Sequence, residues 1–243
     1  MVDDEVVGRT RPGAPVGRRY RDPVEFRRRL VNESVEAFHH RAITAEGREL
    51  WVPVLDSRPT LVLGSSQPET TIDAERCAAR GVEVVRRRTG GGAVLVSAAD
   101  LVWFDLVIDR DDPLWTDDVA RAFEWVGRTC ATALAGFGIA TSMHTGRHRS
   151  TPLSPSICFA GLGAGELTHR DRKLVGISQR RTRTHARFQV AVLRRWDPAA
   201  HADLLAVPEA SRSQIATDLA PVAIGVDLAP VDVLDAVADA LPH

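Results

Sequence analysis

The chain has 243 residues, 44% of them hydrophobic and 26% charged, with a formal net charge of -1 at pH 7. That size and balance suit a globular fold with a sizeable core. Near-neutrality excludes a global field that would gather nucleic acid or an anionic membrane. The cysteines Cys77, Cys130 and Cys158 are odd in number and hold no CxxC pair, which argues against a disulfide scaffold and a thiolate zinc site. Arg18-Arg19 leads into Tyr20-Arg21-Asp22-Pro23 rather than an export signal, and no apolar run reaches membrane-spanning length. A cytoplasmic protein with no membrane and no nucleic-acid partner is expected.

Residues 1–22 mix Asp, Arg, Gly and Pro with little apolar content and read as a mobile tail, with a single domain over 23–243. From Pro23 to Ile43, Phe26, Leu30, Val31, Ser34, Ala37 and Phe38 fall near helical spacing and predict a first helix. Trp51–Leu55 and Thr60–Gly64 read as two strands joined by a turn. Ile72–Arg80 predicts a helix ended by Gly81, and Val82–Arg86 a strand. Ala93–Val96 and Leu101–Ile108 are strand-like. Thr116 is placed to cap a helix with Asp117 and Asp118 in its first turn and a stripe through Val119, Phe123, Val126, Cys130 and Leu134 to Gly136. A polar loop runs from Ile139 to Pro155. Glu166–Thr168, Lys173–Gln179 and Phe188–Leu193 predict strands, and helices are expected over Asp197–Val207 and Pro230–Leu241. Without a regular strand-helix-strand rhythm, the pattern predicts an α+β fold: a mixed, largely antiparallel sheet flanked by helices.

Three stretches carry chemistry. The 31 basic residues are 30 arginines and one lysine, Lys173. An ammonium offers three rotatable donors on a flexible stem where a guanidinium offers a rigid fork, so a lysine surviving in this composition marks a site that needs it. Arg86-Arg87-Arg88-Thr89-Gly90-Gly91-Gly92-Ala93-Val94 sets three cations and three glycines between strands, a loop whose backbone can approach an anionic ligand. It lacks P-loop spacing. Gly161-Leu162-Gly163-Ala164-Gly165 fails the dinucleotide pattern, because Glu166 stands where the last glycine belongs.

Cys77 and Cys130 lie in predicted helices and should pack as small apolar groups. Cys158 lies in a loop within fifteen residues of Lys173, where a cation would favour the thiolate. His144 and His148, four apart around Gly146, match no zinc pattern, and no metal site is expected. Arg180, Arg181, Arg183 and Arg187 form a basic patch with one nearby aromatic, too few stacking platforms for single-stranded nucleic acid.

Taken together, LVLGSSQPE at 61–69, RRRTGGGAV at 86–94 and RKLVGISQRR at 172–181 resemble the lipoate-protein ligase and octanoyltransferase family, over roughly residues 25–200. The resemblance implies a fold like biotin-protein ligases and class II aminoacyl-tRNA synthetases, without the separate C-terminal accessory domain of long ligases. It also implies attachment of a lipoyl or octanoyl group to a lysine of an acceptor lipoyl domain. By resemblance, Arg87, Arg88, Thr89, Gly90, Gly91, Gly92, Ala93, Val94 and Leu95 hold the nucleotide or acyl group. Lys173 contacts the acyl carboxylate and phosphate, with Gly176 and Ser178 beside it.

The chain departs from the pattern where Val96-Ser97-Ala98-Ala99-Asp100 replaces a histidine-aspartate pair, and where Phe188-Gln189 replaces His-Gly. In the ligase reading, towards which the unbroken glycine triplet leans, ATP and Mg2+ activate lipoate or octanoate as an acyl-adenylate. In the transferase reading no cofactor is needed: Cys158 takes the acyl group from an octanoyl carrier protein, with Lys173 favouring the thiolate. A third reading is a member of the family that binds ligand without turnover.

Overall fold

The computed structural model describes residues 25–56 and 58–243; the expected tail over 1–22 and the start of the first predicted helix lie outside them. Ten strands, β1 (Arg27–Val31), β2 (Glu49–Pro53), β3 (Thr60–Leu63), β4 (Glu83–Arg86), β5 (Val94–Val96), β6 (Leu101–Asp109), β7 (Ser142–Met143), β8 (Leu167–His169), β9 (Arg172–Arg181) and β10 (His185–Leu193), form two sheets. The larger runs β1-β2-β6-β10-β9-β8-β7 and the smaller β4-β3-β5. Only β1 with β2 and β3 with β4 pair in parallel, so the predicted mixed, largely antiparallel architecture is the one observed. The helices are α1 (Val35–His40), α2 (Ala74–Ala79), α3 (Phe123–Ala135), α4 (Pro198–Asp203), α5 (Glu209–Leu219) and α6 (Pro230–Ala240). Among the described residues no helix is long and apolar enough to cross a membrane.

The predicted first helix is a strand followed by a shorter helix. Ser34 is extended (ψ 156°) and its hydroxyl accepts from the Ala37 N–H, so the helix begins only after it. The arginines before it form an edge strand, where charged side chains are tolerated and Arg29 reaches Glu49 at 2.8 Å. β2 and β3 do not make a hairpin, because they belong to different sheets. The helix predicted from Thr116 begins at Phe123: the Asp118 carboxylate accepts from the N–H groups of Ala120 and Arg121 and closes a separate turn. The predicted loop after Ile139 contains β7, and the helix opened by Asp197 stops at Asp203.

Helix α5 is not among the elements predicted from the sequence. Few of its side chains are buried; its Arg212 instead donates to the carbonyls of Ala202, Asp203 and Leu205 at 2.9, 2.6 and 3.0 Å. Polar anchoring of this kind leaves no apolar stripe to read. Asp73 caps α2, and Gly81, at φ +67°, follows its end as expected. Cys77 and Cys130 are buried in α2 and α3 as predicted.

The register of the large sheet decides what faces the site. Asp105 pairs with Gln189 and Trp103 with Ala191 on β6 and β10, while Gln189 pairs with Ser178 and Ala191 with Gly176 on β9. Side chains of paired residues share a face, so these six line one side of the sheet. The other side carries Phe188, whose ring meets Trp125 of α3 edge-on at 5.2 Å. The small sheet and α1 cover the first side. There Arg187 is 1% exposed; it pairs with Asp105 and donates to the Phe38 carbonyl at the end of α1. Arg187 therefore does not join the predicted surface basic patch: its charge is spent fixing α1 to the sheet.

Candidate active site

A narrow cleft of about 60 Å3, within about 510 Å3 of empty space that includes its open mouth, lies between the two sheets. Val62, Val94 and Val96 of the small sheet form one wall, and Leu101, Trp103 and Ala191 of the large sheet the other. Its polar groups are few: Arg87, Cys158, Ser178, Gln189 and His39. An apolar slot with a handful of placed polar atoms is the form of a small-molecule site.

The glycine loop builds one lip. Gly91 has φ +97°, a left-handed conformation open to glycine, and a Cβ on Gly92 would stand 2.5 Å from the Ile157 nitrogen. That close approach lets Ala93 run beside Ile157 as a parallel bridge, with the Cys158 N–H donating to the Ala93 carbonyl at 2.9 Å. Arg87, 4% exposed, threads the loop: its Nη2 donates to the carbonyls of Gly90 and Gly92 at 2.7 and 2.9 Å and stands 3.8 Å from the Cys158 Sγ. The loop, the buried guanidinium and the half-buried thiol are thus one unit.

Lys173 is buried behind this unit rather than in the cleft. Its Nζ is 2.7 Å from Glu166 and donates to the carbonyls of Gly161 (2.9 Å) and Cys158 (3.3 Å), with the Phe159 ring 5.0 Å away. Glu166 is held in turn by the N–H groups of Gly163 and Ile177. The expected neighbour of the thiol is present in a different form: Lys173 holds the Cys158 backbone, and the cation beside the sulfur is Arg87. Three converging oxygens explain why this position is a lysine.

A hydrogen-bonded chain crosses the cleft's other side. Thr89 Oγ1 donates to Ser178 Oγ at 3.2 Å, both hydroxyls lie within 3.5 Å of Gln189 Oε1, and Gln189 Nε2 is 3.0 Å from His39 Nδ1. The His39 ring stacks on Trp103, centroids 4.6 Å apart. Burial, helped by Arg87, Arg187 and His40, pushes the His39 imidazole well below its ordinary value, so it is neutral near pH 7.

Of the residues expected here, Arg87, Val94, Cys158, Gly176 and Ser178 line the cleft. Thr89, Gly90, Gly91, Gly92 and Ala93 support it from the loop. Arg88 turns to His40, its Nε 3.0 Å from His40 Nδ1. Leu95 packs with Leu61 and Leu63 on the outer side of the small sheet. Sequence reasoning missed His39, Trp103 and Glu166. The His39-His40 doublet and the Gln189 departure were the available signals. Val96 lines the cleft in the segment that replaces a histidine-aspartate pair, and the cleft's imidazole comes from α1 instead. His144 binds the Arg147 carbonyl, and among the described residues no three metal-ligating side chains converge.

The family model of the lipoyl protein ligase A/B catalytic domain matches residues 29–224. The chain belongs to this family. Similar members include the octanoyltransferase LipM of Moorella thermoacetica, 35% identical over 51% of this chain and 46% of that protein, and LipM of Kyrpidia tusciae, 29% identical over 73% of this chain and 65% of that protein. The chain spans about half to two thirds of the length of these relatives. Among solved structures, a bipartite lipoate protein ligase of Thermoplasma acidophilum matches with a TM-score of 0.68 at 19% identity, covering 89% of this chain and 82% of that one. A lipoate-protein ligase A bound with ATP matches with a TM-score of 0.60 at 17% identity, covering 89% and 83%. Both share the fold of this chain.

Proposed function

We propose that the chain is a cysteine-dependent acyltransferase of protein lipoylation, moving an octanoyl-type group from a carrier-protein thioester to a lysine of a lipoyl domain. The observation that carries this reading is Cys158 Sγ on the wall of an apolar slot, 3.8 Å from a buried guanidinium. The similarity to octanoyltransferases supports it.

In the first step the Cys158 sulfur attacks the thioester carbonyl, a new C–S bond forms, and the carrier thiol leaves with the proton. In the second the neutral amine of the acceptor lysine attacks the Cys158 thioester, the amide forms, the C–S bond breaks, and the amine's proton passes to the departing sulfur to regenerate the cysteine thiol. Arg87 supplies positive charge beside both tetrahedral intermediates. The carbonyls of Gly90 and Gly92 fix that charge in place before substrate arrives, and Lys173 fixes the nucleophile's backbone through its carbonyl.

The ligase reading asks Lys173 to meet an acyl carboxylate and a phosphate. Its three N–H bonds are already directed at Glu166, Gly161 and Cys158, so the residues present do not fit a nucleotide there. Intact mass after incubation with octanoyl carrier protein tests the proposal: an octanoyl adduct on the wild type that is absent from Cys158→Ala is expected. ATP-dependent modification of an added lipoyl domain, with no adduct and full activity in Cys158→Ala, would overturn it.

A further inference from the structure

Two guanidiniums beside the cleft take no part in the acyl-transfer steps. Arg187 donates to the carbonyls of Phe38 and Arg41 at the end of α1, and Arg180 is its direct partner across β9 and β10. Paired side chains on neighbouring strands share a face, with Cβ atoms about 5 Å apart. Arg180 therefore stands at the same helix end, on the same face of β9 as Ser178 of the cleft lining. Arg88 reaches this place from the glycine loop, and His40, the last residue of α1, fixes it. Arg88 Nε can only donate, so His40 Nδ1 accepts at 3.0 Å and His40 Nε2 donates to the Arg86 carbonyl at 2.9 Å. The next residue, Thr89, meets Ser178 at 3.2 Å. The two arginines thus flank one contact between the glycine loop and β9.

Of these three guanidiniums only Arg187 has a carboxylate, that of Asp105; among the described residues no ion pair reaches Arg88 or Arg180. Arg180 is half-buried and its Nη1 bonds to nothing. Burial, then the neighbouring Arg88 and Arg187, push its guanidinium below the ordinary value. A cation that has given up water and faces like charge gains from an anion, and a phosphate has oxygens enough for two guanidiniums. Arg88 supplies the second: its Nε is spent on His40, and its exposed end is left for a ligand. Resting on the reading of this cleft as an acyl-transfer site, we propose that Arg88 and Arg180 bind the phosphate group of the acyl donor. A carrier thioester sits on a phosphopantetheine arm, with sulfur at one end and phosphate at the other. Arg87, 3.8 Å from the Cys158 Sγ, and Arg88 are consecutive, so one short stretch of chain serves both ends of that arm.

The test follows acylation of Cys158 by intact mass, with octanoyl thioesters of pantetheine, phosphopantetheine, coenzyme A and carrier protein, in wild type, Arg88→Gln, Arg180→Gln and the double variant. In the wild type phosphopantetheine should exceed pantetheine in kcat/KM by roughly 10-fold or more, as for hydrogen bonds to a charged group. Each single variant should cut this ratio and the double variant should bring it near one. The ratio is internal to each protein, so a change in folding or in Cys158 reactivity cancels. Arg183→Gln, an equal loss of charge at an exposed position between β9 and β10, should leave it unchanged. A fall with both coenzyme A and carrier protein in the double variant assigns the site to the phosphate whichever molecule carries it; a fall with one alone identifies that molecule as the donor. A wild-type ratio near one, or a ratio that survives the double variant, would overturn the proposal. So would a loss confined to transfer onto the lipoyl domain, which would give the arginines to the acceptor. Calorimetric titration with phosphopantetheine itself separates this result from the transfer reading. Saturable binding that is lost in the double variant, without an acyl adduct from any thioester, sustains the phosphate site and refutes the transferase; no saturable binding and no adduct in the wild type overturns both.

Discussion

The buried pair of Lys173 and Glu166 offers the sharpest energetic test of the site's architecture. Lys173→Met removes the ammonium and leaves a carboxylate buried with only the N–H groups of Gly163 and Ile177; Glu166→Gln leaves an ammonium with two carbonyls. Both side chains are under a tenth exposed, so solvent cannot take up the stranded charge. Breaking one partner of a buried pair costs about 3–5 kcal/mol. For a chain of this length, that corresponds to a fall in Tm of roughly 6–20 °C. The double variant strands no charge and should recover much of the loss. Part will remain, because the amide introduced by Glu166→Gln turns a donor towards one of the two N–H groups. Urea unfolding of the four proteins, followed by circular dichroism at pH 7, gives the coupling energy directly; about 2 kcal/mol or more is expected for charges in contact. Single variants that each cost less than about 1 kcal/mol, or a double variant equal to their sum, would refute the claim that the pair acts as a unit.

Other consequences can be measured separately. Gly92→Ala puts a methyl group 2.5 Å from the Ile157 nitrogen and 2.7 Å from the Ser154 carbonyl oxygen; overpacking of about 1–3 kcal/mol should appear in the urea midpoint, together with lost transfer. Arg87→Lys keeps a cation but cannot span the carbonyls of Gly90 and Gly92, so transfer should fall at least about 10-fold while the melting curve moves little by comparison. His39 is neutral in the folded state, whereas the unfolded chain takes up its proton near pH 6.5. Its contribution to stability is therefore full above about pH 6.5 and is lost as pH falls below that value. Half-buried His201, its imidazole also pushed down by burial, acts in the same direction. Between pH 7 and 5 the wild type should lose more Tm than His39→Leu; equal losses would count against a buried neutral imidazole.

The elements legible in the sequence were those built from apolar periodicity or a local signal: β6, β9 and β10, α2 with the glycine after it, and the start of α4 at Asp197. Those that failed depend on longer-range polar contacts. Three arginines in β1 could not be told from a helix face without Glu49 of the neighbouring strand. Arg212 of α5 binds carbonyls ten, nine and seven residues back in the chain. Arg187 looked like surface charge because nothing local showed Asp105, which is 82 residues away in sequence. The site divides in the same way. Cys158, Arg87 and the glycine loop stood out by residue type and spacing, and the structure brings them together. His39 did not, because its significance depends on Trp103 and Gln189, which reach it only through the register of three strands.

The arginine-rich composition has a structural meaning of its own. Arg87, Arg187 and Arg212 each bind backbone carbonyls in the interior or at its edge, where a planar fork can join groups spread across a flat arc. At position 173 the acceptors are Glu166 and the carbonyls of Gly161 and Cys158, gathered round one point. A guanidinium there would be too wide for the space and too flat for the geometry. Lys173→Arg, though it preserves charge, should therefore displace the Cys158 carbonyl and abolish transfer while the protein still folds. A retained transfer rate in that variant would show that the nucleophile's position does not depend on the three-point clamp.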